Sequence, residues 1–183
     1  MYIFGYGSLI NSASRQRTGQ TGQAIPAIAH NLVRYWGKID DSYTLAPLAV
    51  RQGEGQVNGV LLEIDDIALA EFDRRERGYQ RIQITTDQIE TPNPLPKDET
   101  IWVYVKETLE PPCELSPIMQ TYVDTVLAGC LNISTQFAQH FIKNTIGWHY
   151  PLENDRHSPK YNNLAGVETY HQQTIDTLLS EIR

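Results

Sequence analysis

The sequence is poor in cysteine. Cys113 and Cys130 are the only two among 183 residues, and their spacing matches no metal or disulfide framework. This argues against a disulfide-rich secreted scaffold, and two reduced thiols are expected, with a single disulfide between them as the alternative. Long apolar runs are also missing, because a membrane-spanning helix needs about 20 consecutive apolar residues. The N-terminus lacks a basic-then-apolar targeting pattern, so the expected location is the cytoplasm.

Positive charge is scarce as well. The chain has 15 Lys and Arg against 22 Asp and Glu, a formal net charge of −7. Without a basic stripe, neither nucleic acid nor an anionic membrane is an expected partner. Hydrophobic residues make up 40% and charged residues 20%, which is typical of a globular protein. The length and the lack of internal repeats predict a single domain over residues 1–183.

Strand patterns dominate the first two thirds of the chain. A strand is predicted at 2–6 and one or two at 24–39, with a bulge at Gly37. Two glycines within 52–55 predict the turn of a hairpin that joins strands 46–51 and 57–64. Further strands are expected at 79–86 and 101–106. A short helical turn is expected at 12–17, with a cap at Ser12 or Ser14.

Helix patterns follow later. Asp65 predicts the start of a helix that runs to about Arg77, with Gly78 just beyond its end. Ser116 and Pro117 predict a helix to about 131, and Ser134 predicts another to about 144. An irregular stretch at 147–166 and a terminal helix at 167–183 complete the pattern. Strands first and helices later indicate the α+β class, with residues 115–183 as a helical C-terminal extension.

The first strand runs into a tight glycine-rich turn, Gly5-Tyr6-Gly7-Ser8-Leu9. Glycine accepts many backbone conformations, so such a turn can direct several N–H groups into one space. Amides arranged in this way bind anions or a developing oxyanion. The substrate is therefore expected to bind here, and a turn this close to Met1 leaves no room for a signal peptide.

Glu76 falls in the last turn of the predicted helix, where a carboxylate is disfavoured by about 0.3–1 kcal/mol. The same field, and any burial, would raise its pKa, as a general base and acid near neutral pH requires. The alternative is an ordinary solvated helix face among three arginines, with Asp73 and Arg77 forming an i,i+4 pair.

The turn and this segment together resemble the gamma-glutamylcyclotransferase-like superfamily. The resemblance rests on Tyr6-Gly7-Ser8-Leu9, on the strand 59–64, and on Asp73, Glu76, Gly78, Tyr79 and Arg81 at their observed spacing. It covers about residues 2–106. The later segments Gly147-Trp148 and Asn154-Asp155-Arg156 resemble an extension of some bacterial members. The resemblance implies a small closed mixed β-barrel flanked by helices, with a pocket at one end.

The resemblance also implies a site. Tyr6, Gly7, Ser8 and Leu9 would bind the glutamyl group through backbone amides, Glu76 would be the catalytic acid and base, and Tyr104 would line the pocket. Arg77 stands where many relatives have glycine directly after the glutamate.

The implied enzyme is a gamma-glutamyl cyclotransferase of the transferase or lyase type, which releases 5-oxoproline without any cofactor or metal. Its partner would be a small gamma-glutamyl molecule: glutathione, a dipeptide or an amine. The oligomeric state stays open. One alternative is a non-catalytic module that binds gamma-glutamyl compounds or another small molecule in the same pocket. Another is a hydrolase with Ser8 as nucleophile, although the turn lacks the second glycine of a nucleophile elbow.

Other polar groups of the sequence are weaker candidates for a site. The five histidines show no helical metal-pair spacing, although His149, His157 and Asp155 share one irregular segment. The segment Asn154-Asp155-Arg156 is read equally as a loop salt bridge or as a lid. Arg34, Trp36 and Trp102 are interpreted as core or barrel wall.

Overall fold

The structure is a computed structural model that describes residues 1–19, 22–39 and 44–183. Its strands are β1 (Tyr2–Gly5), β2 (Ala24–Trp36), β3 (Leu48–Glu63), β4 (Gln80–Ile84), β5 (Ile89–Glu90), β6 (Ile101–Val105), β7 (Ile118–Met119), β8 (Thr145–Ile146) and β9 (Leu152–Glu153). Its α-helices are α1 (Ser12–Arg17), α2 (Asp66–Arg75), α3 (Gln120–Ile133), α4 (Thr135–Lys143) and α5 (Thr169–Ser180).

The main sheet is mixed and curls into a half-barrel. Its strand order is β4-β6-β1-β3-β2-β5, and β8 pairs with β2 as well. Strand β1 lies at the centre, antiparallel to β3 and parallel to β6. The predicted α+β class and barrel-like mixed sheet are confirmed. The central position of β1 brings its C-terminal end, where the glycine-rich turn begins, between two neighbouring strands.

The predicted hairpin turn at 52–55 is wrong, because these residues lie within one long strand, β3. This strand pairs with β2 from Leu62 opposite Ala24 to Leu48 opposite Trp36. The register shifts between His30 and Leu32, and Asn31 takes φ 61°, so the bulge lies there and not at Gly37. A Cβ at Gly55 would lie 2.7 Å from the Leu32 carbonyl oxygen. The glycine therefore serves a close approach of two strands at the bulge.

Helix α2 agrees closely with its prediction. The Asp65 side chain accepts a hydrogen bond of 2.8 Å from the Ala68 N–H, which caps the first turn. The helix ends at Arg75, Glu76 is its C-cap residue, and Gly78 has φ 89°. This left-handed glycine turns the chain from the helix into β4.

The predicted helix start at Ser116 is wrong. The two residues after Pro117 form β7, which pairs in parallel with β9, and α3 starts only at Gln120. The Pro117 carbonyl accepts from the Ala46 N–H at 2.9 Å, so this backbone is already engaged with another segment. The start of α3 is capped from a distance, because the Asp155 carboxylate accepts from the Thr121 N–H and hydroxyl at 2.8 and 2.6 Å.

The C-terminal helices pack against the main sheet. Helix α4 has the predicted cap, since Ser134 Oγ accepts from the Phe137 N–H at 3.0 Å. Helices α3 and α5 share one apolar cluster with sheet residues, in which Trp36, Val60 and Leu127 are buried. Within the described part of the chain, no helix is long and apolar enough to cross a bilayer.

Candidate active site

A cavity of about 160 Å³ opens at the end of β1. Its walls come from β1, the following turn, the start of β3, the end of α2, β6 and α3. All six residues selected from the sequence line it: Tyr6, Gly7, Ser8, Leu9, Glu76 and Tyr104. A cavity of this volume is enough for a small metabolite and far too small for a folded partner.

Close packing shapes the turn between β1 and α1. A Cβ at Gly59 would lie 2.4 Å from the Gly5 carbonyl oxygen, so only glycine lets β3 approach β1 here. After Gly7 the chain makes a short 3-10 turn, Ser8–Ile10. Asn11, and neither Ser12 nor Ser14, caps α1, because its side chain accepts from the Ala13 and Ser14 N–H groups at 3.0 and 3.2 Å.

Asn11 also ties the turn to the C-terminal region. Its Nδ2 donates to the Thr125 carbonyl of α3 at 2.8 Å and to the Ala165 carbonyl at 3.0 Å. A Cβ at Gly129 would lie 2.6 Å from the Asn11 backbone nitrogen, so α3 packs directly on this residue. Helix α3 and the segment at Ala165 therefore hold in place the residue that directly follows the 3-10 turn.

Tyr6 is anchored at both its side chain and its backbone. Its hydroxyl donates to the Tyr104 carbonyl at 2.9 Å, and its own carbonyl accepts from Arg34 Nη1 at 3.3 Å. Burial raises the pKa of the Tyr6 hydroxyl well above its ordinary value, so it stays a donor at neutral pH.

Glu76 is held in place by its backbone, while its carboxylate lines the cavity. Its N–H donates to the Phe72 carbonyl at 2.8 Å, and its carbonyl accepts from the Tyr79 N–H at 3.0 Å. No hydrogen bond or ion pair of the described residues ends on the carboxylate. Burial raises the pKa of Glu76, and the nearby Arg75 charge opposes this shift only in part. The group is therefore placed to take up and release a proton.

Asp73 is engaged differently from its predicted pairing. The expected partner was Arg77, but Arg81 Nη1 contacts Asp73 Oδ2 at 2.7 Å instead. Oδ1 accepts from the Tyr104 hydroxyl, also at 2.7 Å. Burial and this hydrogen bond raise the pKa of Tyr104. Arg81 and the Tyr104 hydroxyl are thus both engaged by Asp73, and the Glu76 carboxylate lines the cavity.

The cavity is also lined by Tyr79 and Tyr122, two tyrosines that were not among the site residues predicted from the sequence. Tyr122 stacks on Tyr161 with ring centroids 4.7 Å apart, and burial raises its pKa well above the ordinary value. Its position in an apolar helix stripe gave no sign that its hydroxyl reaches the turn. Tyr79 did carry a signal, since it directly follows Gly78 in the segment that contains Glu76.

The polar segment at 154–156 is tied to helices α3 and α5. Arg156 bridges Asp124 and Asp176, each at 2.7 Å, which favours the salt-bridge interpretation of this segment. Among the described residues, no group of three or more His, Cys, Asp and Glu side chains is arranged to hold a metal ion. Cys113 and Cys130 are both free thiols in this structure.

Comparisons with known proteins bear on the fold and the family of this chain. No curated protein sequence matches the chain. Solved structures that share its fold include an uncharacterized Homo sapiens protein, with a TM-score of 0.62 and 16% identity, covering 96% of this chain and 97% of that one. A protein described as gamma-glutamyl cyclotransferase has a TM-score of 0.59 and 16% identity, covering 96% of this chain and 98% of that one. YkqA from Bacillus subtilis has a TM-score of 0.59 and 20% identity, covering 78% of this chain and 53% of that one. At these identities the likeness shows the fold alone, and this chain spans about half of YkqA.

The family model described as "Gamma-glutamyl cyclotransferase, AIG2-like" matches residues 3–122, which include the turn, Glu76, Tyr104 and Tyr122. The match covers well over half of the chain and confirms the superfamily expected from the sequence. The chain belongs to the gamma-glutamyl cyclotransferase, AIG2-like family.

Proposed function

We propose that this protein is a gamma-glutamyl cyclotransferase that releases 5-oxoproline from a small gamma-glutamyl substrate. The observation that carries the proposal is the half-buried Glu76 carboxylate, which lines the same cavity as the Tyr6–Leu9 turn and has a raised pKa. A proton carrier and a row of backbone donors are the two groups that such a cyclisation requires.

The substrate supplies its own nucleophile in this reaction. Glu76 takes a proton from the α-amine, and the amine nitrogen attacks the γ-carbonyl carbon to form the ring C–N bond. The carbonyl electron pair moves onto oxygen, where N–H groups of the turn stabilise the oxyanion. Well-oriented intramolecular attack lowers the barrier by about 7–11 kcal/mol, and a well-placed oxyanion donor by about 3 kcal/mol.

The second step reverses these movements. The oxyanion electron pair re-forms the carbonyl, the bond to the leaving nitrogen breaks, and Glu76 returns its proton to that nitrogen. The products are 5-oxoproline and a free amine or amino acid. Every proton is accounted for by one carboxylate, so the proposed reaction requires neither a metal nor an organic cofactor.

A substrate panel tests the proposal. Glutathione, gamma-glutamyl dipeptides and gamma-glutamylamines are incubated with the protein, and 5-oxoproline is measured directly. The matched control is each compound with its α-amine acetylated, because an amide nitrogen cannot attack. We expect 5-oxoproline from at least one free-amine compound and no cleavage of its acetylated form.

Two other outcomes would contradict the proposal. Cleavage of both forms, with glutamate and acetylglutamate as products, would indicate hydrolysis through a nucleophile such as Ser8. Binding of gamma-glutamyl compounds with no product after long incubation would indicate the non-catalytic binding module instead.

A further inference from the structure

Arg34 is a buried cation directly beneath the turn. It lies on β2 and its side chain has no exposed surface. All five of its N–H donors have an acceptor. Nε donates to Thr145 Oγ1 at 2.8 Å, Nη1 to the Tyr6 and Asn58 carbonyls at 3.3 and 2.7 Å, and Nη2 to Asn58 Oδ1 and the Phe141 carbonyl at 2.9 and 3.1 Å.

Every one of these acceptors is a neutral group. No carboxylate of the described residues contacts the guanidinium, which instead lies 3.5 Å from the centroid of the Phe141 ring. Burial lowers the pKa of Arg34 to about 9, so the group is still charged at neutral pH. A buried cation without a counterion is costly, and such a charge is retained where something else benefits from its field.

The hydrogen bond to the Tyr6 carbonyl fixes the direction of the next amide. The structure has no cis peptide bond, and in a trans peptide the N–H points opposite to the C=O. Because the Tyr6 carbonyl points toward the buried Arg34, the Gly7 N–H points the other way, and both residues line the cavity. No acceptor for this N–H occurs among the hydrogen bonds of the described residues.

The lining of the cavity otherwise carries no positive charge. Its described lining residues include one carboxylate, Glu76, and no lysine, arginine or histidine. A gamma-glutamyl substrate carries an α-carboxylate, which needs a positive potential to bind beside Glu76.

We propose that Arg34 is a positioning residue that turns the Tyr6–Gly7 peptide into the carboxylate-binding donor of the site and supplies its positive potential. This rests on the proposed function, because the anion is the α-carboxylate of the substrate and of 5-oxoproline. Arg34 acts from behind the peptide and never touches the ligand. It thereby offsets the repulsion between the ligand carboxylate and Glu76.

The test compares two ligands that differ only in charge. Binding of 5-oxoproline and of its neutral carboxamide is measured by calorimetry with the wild-type protein and with Arg34→Met. The wild type should bind the anion at least about tenfold more tightly than the amide. In Arg34→Met this preference should fall to about twofold or less. A purely structural role would weaken both ligands equally and leave their ratio unchanged.

Two further variants separate folding from the proposed role. Arg156→Met removes another multiply bonded arginine that has no contact with the turn, and it should destabilise the fold while the preference stays at the wild-type value. Arg34→Lys keeps the charge but cannot span the same five acceptors, so it should keep a preference for the anion and bind both ligands at least about threefold more weakly.

An Arg34→Met protein that keeps the wild-type preference would overturn the inference, as would an Arg34→Lys protein that binds both ligands like the wild type. Either result is compatible with full 5-oxoproline release, so the proposed function would stand. A wild-type protein that neither releases nor binds 5-oxoproline would overturn the proposed function, and the inference with it.

Discussion

The hydroxyl of Tyr6 donates a hydrogen bond of 2.9 Å to the backbone carbonyl of Tyr104. This bond joins the turn to β6 across the cavity wall. The Tyr104 hydroxyl continues the connection to Asp73 of α2, which lies three residues before Glu76. This chain of contacts through Tyr104 therefore ties both the turn and the helix that ends at Glu76 to β6.

Tyr6→Phe breaks the first bond in this chain. It leaves the buried Tyr104 carbonyl without this donor, which should lower the free energy of unfolding by about 0.5–1.5 kcal/mol. The turn also loses an anchor, so KM for a gamma-glutamyl substrate should rise several-fold. Thermal unfolding and steady-state kinetics measure the two effects.

The control for Tyr6→Phe is Tyr170→Phe, at a side chain that is 60% exposed on α5. It should leave both stability and KM near the wild-type values. Equal KM values for Tyr6→Phe and the wild type would show that this hydrogen bond does not position the turn.

Gly7→Ala tests how closely the cavity is built around the turn. The new Cβ would lie 3.2 Å from the Tyr122 hydroxyl, a contact tight enough that the tyrosine must shift within the cavity. Substrate binding should weaken about tenfold or more, the scale expected when one methyl group disturbs a fitted site. The Kd of 5-oxoproline measures this.

Gly22→Ala is the matched control, because no atom lies within 4 Å of its new Cβ. It should bind 5-oxoproline like the wild type. If Gly7→Ala also bound like the wild type, the ligand would not contact this part of the turn.

Glu76→Gln should stabilise the fold in a pH-dependent way. Since burial raises the pKa of Glu76, the folded protein holds the proton more tightly than the unfolded chain does. The wild type therefore loses stability as pH rises through the folded pKa, whereas the neutral glutamine does not. At pH 7 the Tm of the variant should exceed that of the wild type by roughly 2–4 °C, the scale of one modest interaction in a chain of this size.

Below the ordinary glutamate pKa of 4.5, where both side chains are neutral, this difference in Tm should vanish. The measurement is a series of melting curves from pH 7 to about pH 4. A variant that is less stable than the wild type at pH 7 would contradict the burial of the charged group.

The sequence predicted two helix caps correctly but misassigned a strand and the start of a helix. Asp65 and Ser134 act locally, as helix caps, so their roles could be recognised from neighbouring residues alone. Gly55 was interpreted as part of a turn. The structure shows that a glycine is needed there for the close approach to Leu32 on β2, a contact that neighbouring residues do not reveal. The helix start predicted at Ser116 was wrong for the same reason, because the backbone that follows it is hydrogen-bonded to β9 and to residue 46.

The sequence also could not predict which side chains from distant segments meet at the site. Tyr122 fits an apolar helix stripe, and only the packing of α3 against Asn11 brings its hydroxyl to the turn. Arg34 was interpreted as core, and it is fully buried. Its contacts with Tyr6, Asn58 and Phe141 join three separate segments, which no local pattern reveals.

The most direct measurement compares 5-oxoproline release by Glu76→Gln and by the wild type, with 5-oxoproline binding measured on both. Loss of the proton carrier should lower kcat by about 10²–10⁴-fold while binding is retained. Glu71→Gln, an exposed substitution on the same helix, should keep the wild-type kcat. Undiminished turnover by Glu76→Gln would contradict the account, because the cyclisation would then proceed without its proposed acid and base.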